Sequence, residues 1–336
     1  MDSAGVYGMT QRVWLKGLAG AAVLLLSSWG GAQVVGSVNG SAAAARAFYS
    51  DAGVAFARRD VRLAGPSQAE LSQGISFSTT TNLQKLAELG VVAANWEQQF
   101  PHDAAPTLST VVFLVRQGDP RAVRDWSDLV RQDVGVVIAN PKSCNNGRYA
   151  YMGAWGSVRE NGGSDAQAAD FVGTLYRQAA VVAKVEREAV NAFARAGMGD
   201  VLVAFESDVP AIEQVAGGAL EVVYPSVSVA AENTVAMAAH VAGTALPGVT
   251  RAWLEYLYTD EAQEIAARHH LRPRSAAVLA RHADQFKPIE MFGVAKYFGS
   301  LERAQKLHFA NGGEFDRIYR PTPAQLAAGE QVRAAF

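Results

Sequence analysis

The single cysteine, Cys144, and six histidines at positions 102, 240, 269, 270, 282 and 308 are the residues best equipped for covalent or metal chemistry. A thiol becomes a nucleophile when a positioned base or a positive environment stabilises its thiolate. No motif ties a histidine to Cys144, so the thiol reads as inert or as the lining of a ligand site. His269 and His270 are adjacent in a helix-like run and point to different faces, whereas two helical metal ligands need the i, i+4 spacing. Gly197-Met198-Gly199 is too short for a dinucleotide fingerprint and precedes a strand instead of a helix. The chain is therefore expected to have no catalytic residues, no metal and no cofactor, and not to be an enzyme.

The elements around these residues alternate. Short β-branched runs at Thr110 to Val115, Val134 to Ala139, Asp200 to Phe205 and Leu220 to Tyr224 predict strands. Helix-like stretches at Trp126 to Arg131, Tyr149 to Asn161, Ala166 to Gln178 and Glu186 to Ala196 lie between them. This alternation predicts an α/β fold of mainly parallel sheets flanked by helices. Capping boxes read as helix starts at Ser67-Gln68-Ala69-Glu70, Ser164-Asp165-Ala166-Gln167 and Thr322-Pro323-Ala324-Gln325. No linker-like tract interrupts the chain, which suggests two lobes joined by strands.

The first 32 residues carry Arg12 and Lys16, an apolar run from Gly17 to Leu26, and small residues at Gly30, Gly31 and Ala32. That order predicts a secretory signal peptide, too short for a good membrane span and cleaved near Ala32. Initiation at Met9 would leave its n-region without the acidic Asp2. No cysteine lies at the junction to carry a lipid, so a soluble periplasmic protein is expected. The formal charge of −2 over 336 residues argues against nucleic acid as a partner.

The run Tyr258-Thr259-Asp260-Glu261-Ala262-Gln263, with Leu271-Arg272-Pro273-Arg274 and the stretch Ala304 to Tyr319, resembles the C-terminal region of the periplasmic sulfate- and thiosulfate-binding proteins. The resemblance implies a type II periplasmic-binding-protein fold with the ligand in a cleft between two lobes. The first lobe is expected to hold 33–112 plus 228–320 and the second 113–227, with 321–336 as a tail. It implies a monomer that presents a small molecule to a membrane transporter. Arg272-Pro273-Arg274 and the His308 to Tyr319 run are expected to be structural or to dock the transporter.

That family desolvates its anion and holds it with backbone N–H groups at helix N-termini, serine hydroxyls and one indole N–H. The loop Asn140-Pro141-Lys142-Ser143-Cys144-Asn145-Asn146-Gly147-Arg148 is similar to the family's Asn-Pro-Lys-Thr-Ser-Gly-Gly-Ala-Arg. Here Cys144 replaces the serine, and Asn145 and Asn146 replace the glycines. Ala43, near Ser41, stands at a family aspartate, the loop around Ser67 is shortened, and Phe205 replaces the indole donor. With Ser143, Gly147, Ser226, Ser228 and Glu232, these residues form the expected ligand site. The lost donors point to a larger, less polar cargo, lipid-like or sterol-like, in place of free sulfate. A sulfate or thiosulfate importer component, and an exported enzyme or signalling module on the same fold, are the alternatives.

Overall fold

The computed structural model describes residues 42–59, 75–78, 80–218, 220–237 and 247–335. The expected signal peptide, Ser41, Ser67 and its capping box lie outside the described residues, as does the side chain of Ala43.

One strand organises the molecule. The run Thr-Leu-Ser-Thr-Val-Val-Phe-Leu-Val-Arg forms β2 (Thr107–Arg116), buried along all but its last residue. A strand covered on both faces reads as a continuous apolar run, which is why periodicity alone does not orient it. Its first half pairs antiparallel with β7 (Val227–Met237), Thr107 opposite Asn233, and with β8 (Arg272–Pro273). Its second half pairs antiparallel with β5 (Val201–Phe205), Val111 opposite Phe205, and with β6 (Leu220–Val223). The exchange of partners falls between Thr110 and Val111. There the hydroxyls of Thr110 and Ser228 donate to the carbonyls of Val229 and Val111, each at 2.9 Å, so these buried acceptors are satisfied.

Strand order is β1 (Ile75–Ser78), β7, β2, β5, β3 (Val136–Ala139), β4 (Val181–Ala183). Parallel pairing joins β3 to both β4 and β5, and β7 to a short strand at Glu290–Phe292. The strands that pass between the lobes run antiparallel to one another.

The fold is a two-lobed α/β architecture. The first lobe centres on a cluster with Phe48, Leu83, Trp96, Val235, Leu254 and Ile265. Helices α1 (Ala42–Arg59), α2 (Thr80–Glu88), Pro247–Tyr256 and Asp260–Arg268 contribute to it. In the second lobe the period-2 alternation of strands sorts side chains to two faces. Val111, Phe113 and Val115 face a cluster with Trp126, Tyr151 and Tyr176, whereas Leu114 faces another with Val137, Phe193 and Leu202. Helices α3 (Asn145–Glu160) and α4 (Asp165–Gln178) cover the first of these. The capping boxes at Ser164/Gln167 and Thr322/Gln325 are formed.

One boundary moves. The sequence resemblance places residues 228–320 in the first lobe, yet Phe292, Phe298, Phe309, Phe315 and Tyr319 belong to the aromatic cluster of the second. Phe315 meets Tyr176 edge-on with centroids 4.9 Å apart, and the Gln325 amide donates to the carbonyls of Tyr176 and Ala179 at 2.8 Å. The aromatic residues of this stretch fill the face left open by α3 and α4, which draws the chain from about residue 292 across to that lobe. Residues Pro323–Ala335, read as a tail, form a helix whose Val332 reaches the other cluster of the same lobe.

Candidate functional site

The loop at the C-terminal end of β3 is built by its own polar groups. The Asn140 side-chain oxygen accepts from the Lys142 N–H at 2.9 Å, and its carbonyl accepts from the N–H groups of Ser143 and Cys144. The Ser143 hydroxyl donates to the Lys184 carbonyl at 2.6 Å, and the Lys142 ammonium pairs with Asp316 at 2.6 Å. Cys144 then takes extended dihedrals as the N-cap of α3. Gly147 lets the helix start lie against the loop: a Cβ there would come within 2.5 Å of the Ala139 carbonyl oxygen.

The first amides of a helix have no intrahelical acceptor and present a positive end to a ligand. Here the N–H groups of Asn146 and Gly147 at α3, and of Glu186 at the start of the helical turn Glu186–Val190, are directed at the Cys144 sulfur. Burial pushes the thiol above its ordinary range and outweighs those amides, so it stays protonated at neutral pH. Burial also depresses the Arg148 guanidinium, whose Nε donates to the Pro141 carbonyl at 3.2 Å. Among the described residues no carboxylate pairs with it. The arrangement combines a convergent set of amides with a half-buried cation, which suits an anion. An open groove of about 660 Å³ borders it, lined by Glu186, Arg187, Asn191 and Asp208 among others.

The other expected site residues divide. Ser143, Cys144, Asn145, Asn146 and Gly147 come together in this loop. Phe205 does not join them: it ends β5, is 1 % exposed, and packs on Tyr149 with ring centroids 5.4 Å apart, so it is a core residue. The Ser228 hydroxyl is taken by the Val111 carbonyl, and Ser226 is exposed with its N–H donating to Asp125 at 3.3 Å. Both belong to the strand crossing. Ala43 lies in the first turn of α1. Glu232 pairs with Arg274 at 2.8 Å and lines a separate cavity.

Sequence reasoning missed a buried ion pair. Arg272 donates two hydrogen bonds to Glu206 at 2.6 and 2.8 Å, both side chains being about 95 % covered, and the Tyr224 hydroxyl donates to Glu206 at 2.8 Å. Burial raises the Glu206 carboxyl, and the guanidinium bonds oppose the rise. Only the run Arg272-Pro273-Arg274 hinted at it.

Comparison with known proteins identifies this architecture. The family model described as bacterial extracellular solute-binding protein matches residues 31–272. The chain belongs to this family. Its relatives include the thiosulfate-binding protein of Pseudomonas aeruginosa, 43% identical over 250 residues, covering 74% of this chain and 75% of that protein. The sulfate-binding protein of Escherichia coli is 39% identical over 249 residues, covering 73% and 75%. Among solved structures, the sulfate-binding protein SubI from Mycobacterium tuberculosis superposes with a TM-score of 0.59 at 27% identity, covering 69% of this chain and 80% of that one. An ABC transporter structure from Clostridium perfringens, at 16% identity and TM-score 0.55, covers 79% and 94% and shows the shared fold. This solute-binding protein thus sits among relatives named for sulfate and thiosulfate, and nothing in those relatives favours a lipid-like cargo. Among the described residues no helix is long and apolar enough to cross a membrane.

Proposed function

We propose that this solute-binding protein captures a tetrahedral sulfur oxyanion, sulfate or thiosulfate, in the periplasm and delivers it as a monomer to the membrane component of an ABC importer. The observation that carries the reading is the convergence of the Asn146, Gly147 and Glu186 amides beside the half-buried Arg148. The relatives named for these anions support it. The expected lipid-like cargo drew on Phe205, with Ala43, Cys144 and the shortened loop, as a less polar cleft lining, and Phe205 lies in the core instead.

The substitution of cysteine for serine tunes the affinity. A thiol is a weak donor, and a hydrogen bond to a charged group contributes about 1.5–3 kcal/mol, or roughly ten- to hundredfold in affinity. Calorimetric titration with sulfate and thiosulfate should show stoichiometric binding. Cys144→Ser should tighten sulfate by about tenfold. Absence of saturable binding of either anion at millimolar concentration, in both wild type and Cys144→Ser, would refute the oxyanion reading.

A further inference from the structure

The tripeptide Asn-Gly-Gly occurs twice among the described residues, at 161–163 and at 311–313. An asparagine followed by glycine can react with its own backbone. The glycine nitrogen, unshielded by a Cβ, attacks the asparagine side-chain carbonyl carbon and closes a cyclic imide. In both copies the asparagine and the next glycine are exposed, and that glycine has a positive φ, 82° at Gly162 and 75° at Gly312. Sequence and local backbone do not separate the two. Their neighbours do.

At Asn311 two charged groups meet the reacting atoms. The Gly312 N–H donates to the Asp316 carboxylate at 2.8 Å, within the reach of a general base. The Lys142 ammonium donates to the Asn311 side-chain oxygen at 3.1 Å. An ammonium only donates, so the atom it meets is the oxygen and the NH2 group is the other arm. Negative charge developing on that oxygen during attack would face a fixed cation, the arrangement that stabilises an oxyanion. Lys142 also pairs with Asp316 at 2.6 Å, which holds both groups in place. The Asp316 carboxyl lies below its ordinary range, first through Lys142 and then through the Gly312 N–H, with Arg320 adding to the effect, so it is ionised at neutral pH. That lowering weakens it as a base, and its position on the proton to be removed compensates.

Asn161 lacks both groups. The Gly162 N–H donates to the Arg159 backbone carbonyl at 3.1 Å, which is no base, and the Asn161 NH2 group donates to the Ser157 carbonyl at 2.8 Å. Among the described residues no charged side chain bonds the Gly162 N–H or the Asn161 side-chain oxygen. The remaining described Asn-Gly step, Asn146-Gly147, is buried inside α3.

We infer that Asn311 is a self-modification site, converted to aspartate and isoaspartate through an imide with Gly312, with Asp316 as base and Lys142 as partner of the oxyanion. As the Gly312 nitrogen bonds to the Asn311 side-chain carbonyl carbon, its proton passes to Asp316 and the carbonyl electron pair moves to the oxygen beside Lys142. That pair returns as the bond to the NH2 group breaks, and Asp316 gives the proton to the departing nitrogen, which leaves as ammonia. Water then adds to either imide carbonyl and opens the ring, giving aspartate or isoaspartate, with nothing oxidised or reduced. The site is independent of the oxyanion reading and stands or falls separately from it.

The test is peptide mapping by mass spectrometry of the full chain after folded incubation at neutral pH, which reads residues 161 and 311 in one sample, with synthetic isoaspartyl peptides as standards. Conversion at Asn311 is expected to be at least tenfold faster than at Asn161, and the two rates should converge when the chain is unfolded in urea. Between about pH 6 and 8 the rate at Asn161 should rise with hydroxide, whereas that at Asn311 should stay nearly flat because its base is already ionised. Asp316→Asn should slow Asn311 at least fivefold and Lys142→Met several-fold, with Asn161 in the same molecules reporting any general loosening. If Asp316→Asn does not fold, Lys142→Met and the wild-type pH profile decide the matter. Conversion at Asn311 no faster than at Asn161, faster conversion in either variant, or a rate at Asn311 that climbs with pH as steeply as that at Asn161 would overturn the inference.

Discussion

Gly147 joins the fold tightly to the proposed anion loop, and Gly147→Ala tests that junction. The added Cβ would stand 2.5 Å from the Ala139 carbonyl oxygen, 2.6 Å from the Asn140 carbonyl carbon and 2.7 Å from its oxygen. Those distances are about 1 Å short of ordinary non-bonded contact. All three atoms are backbone, fixed by β3 and by hydrogen bonds that the Asn140 carbonyl accepts from Ser143 and Cys144, so no side chain can swing away. The start of α3 must move off the loop instead. Overpacking of this kind costs about 1–3 kcal/mol. Alanine's lower helix entropy cost returns about 0.5–1 kcal/mol. A net loss of about 1–2 kcal/mol corresponds to a fall in Tm of about 2–8 °C. Because the amides of Asn146 and Gly147 move with the helix start, sulfate affinity should drop by tenfold or more in the same variant. Thermal unfolding and calorimetry measure the two effects, with Gly218→Ala as the control because its added Cβ meets nothing within 4 Å. A Gly147→Ala protein with wild-type stability and wild-type sulfate affinity would refute the reasoning.

Two further outcomes follow from buried groups. Glu206→Gln leaves the Arg272 charge without its carboxylate in a covered site and should cost about 3–5 kcal/mol in chemical denaturation, whereas the double change Glu206→Leu with Arg272→Met should recover most of it; a single variant as stable as wild type would contradict the pairing. His308, buried against Trp155 and Phe298 with Nδ1 2.9 Å from the Tyr151 hydroxyl, has its pKa lowered to about 4 by burial. Its unfolded form protonates near 6.5, so the stability it contributes is complete above that pH and declines as pH falls from 6.5 toward 4. The Tm of wild type should fall over this interval more steeply than that of His308→Leu, and parallel curves would rule out His308 as the cause.

Most of the fold was legible because local signals agreed. The runs at Thr110, Val134, Asp200 and Leu220 became strands, and the capping residues Ser164 and Thr322 begin helices, because the same residues that bury apolar surface also have the matching local preferences. The geometry of the Asn140 to Gly147 loop was legible for the same reason: it is contiguous and makes its own turn. What escaped depended on contacts distant in sequence. The last residue of a five-residue strand faces a core or a cleft according to what lies opposite, and Val111 and Tyr149 assign Phe205 to the core. Ser228 was read as a ligand donor, but the change of ladder partner in β2 leaves a carbonyl that takes its hydroxyl.

The exchange of partners at Thr110 and Val111 also bears on mechanics. A single unbroken backbone is stitched at one end to the first lobe and at the other to the second, so it acts as a torsion bar. Stretching or shearing such a bar would break ladder bonds, whereas twisting it about its length changes a few dihedrals by small amounts. Relative movement of the two lobes is thereby channelled into rotation about a line passing near residues 110 and 111. The Glu206–Arg272 bond spans the lobes, Glu206 directly following β5 and Arg272 pairing with Leu108. It lies close to that line, where displacement is smallest, and can stay intact throughout the motion. The amides of β2 should therefore resist hydrogen exchange equally with and without anion, while those at the start of α3 become protected only when the anion is bound.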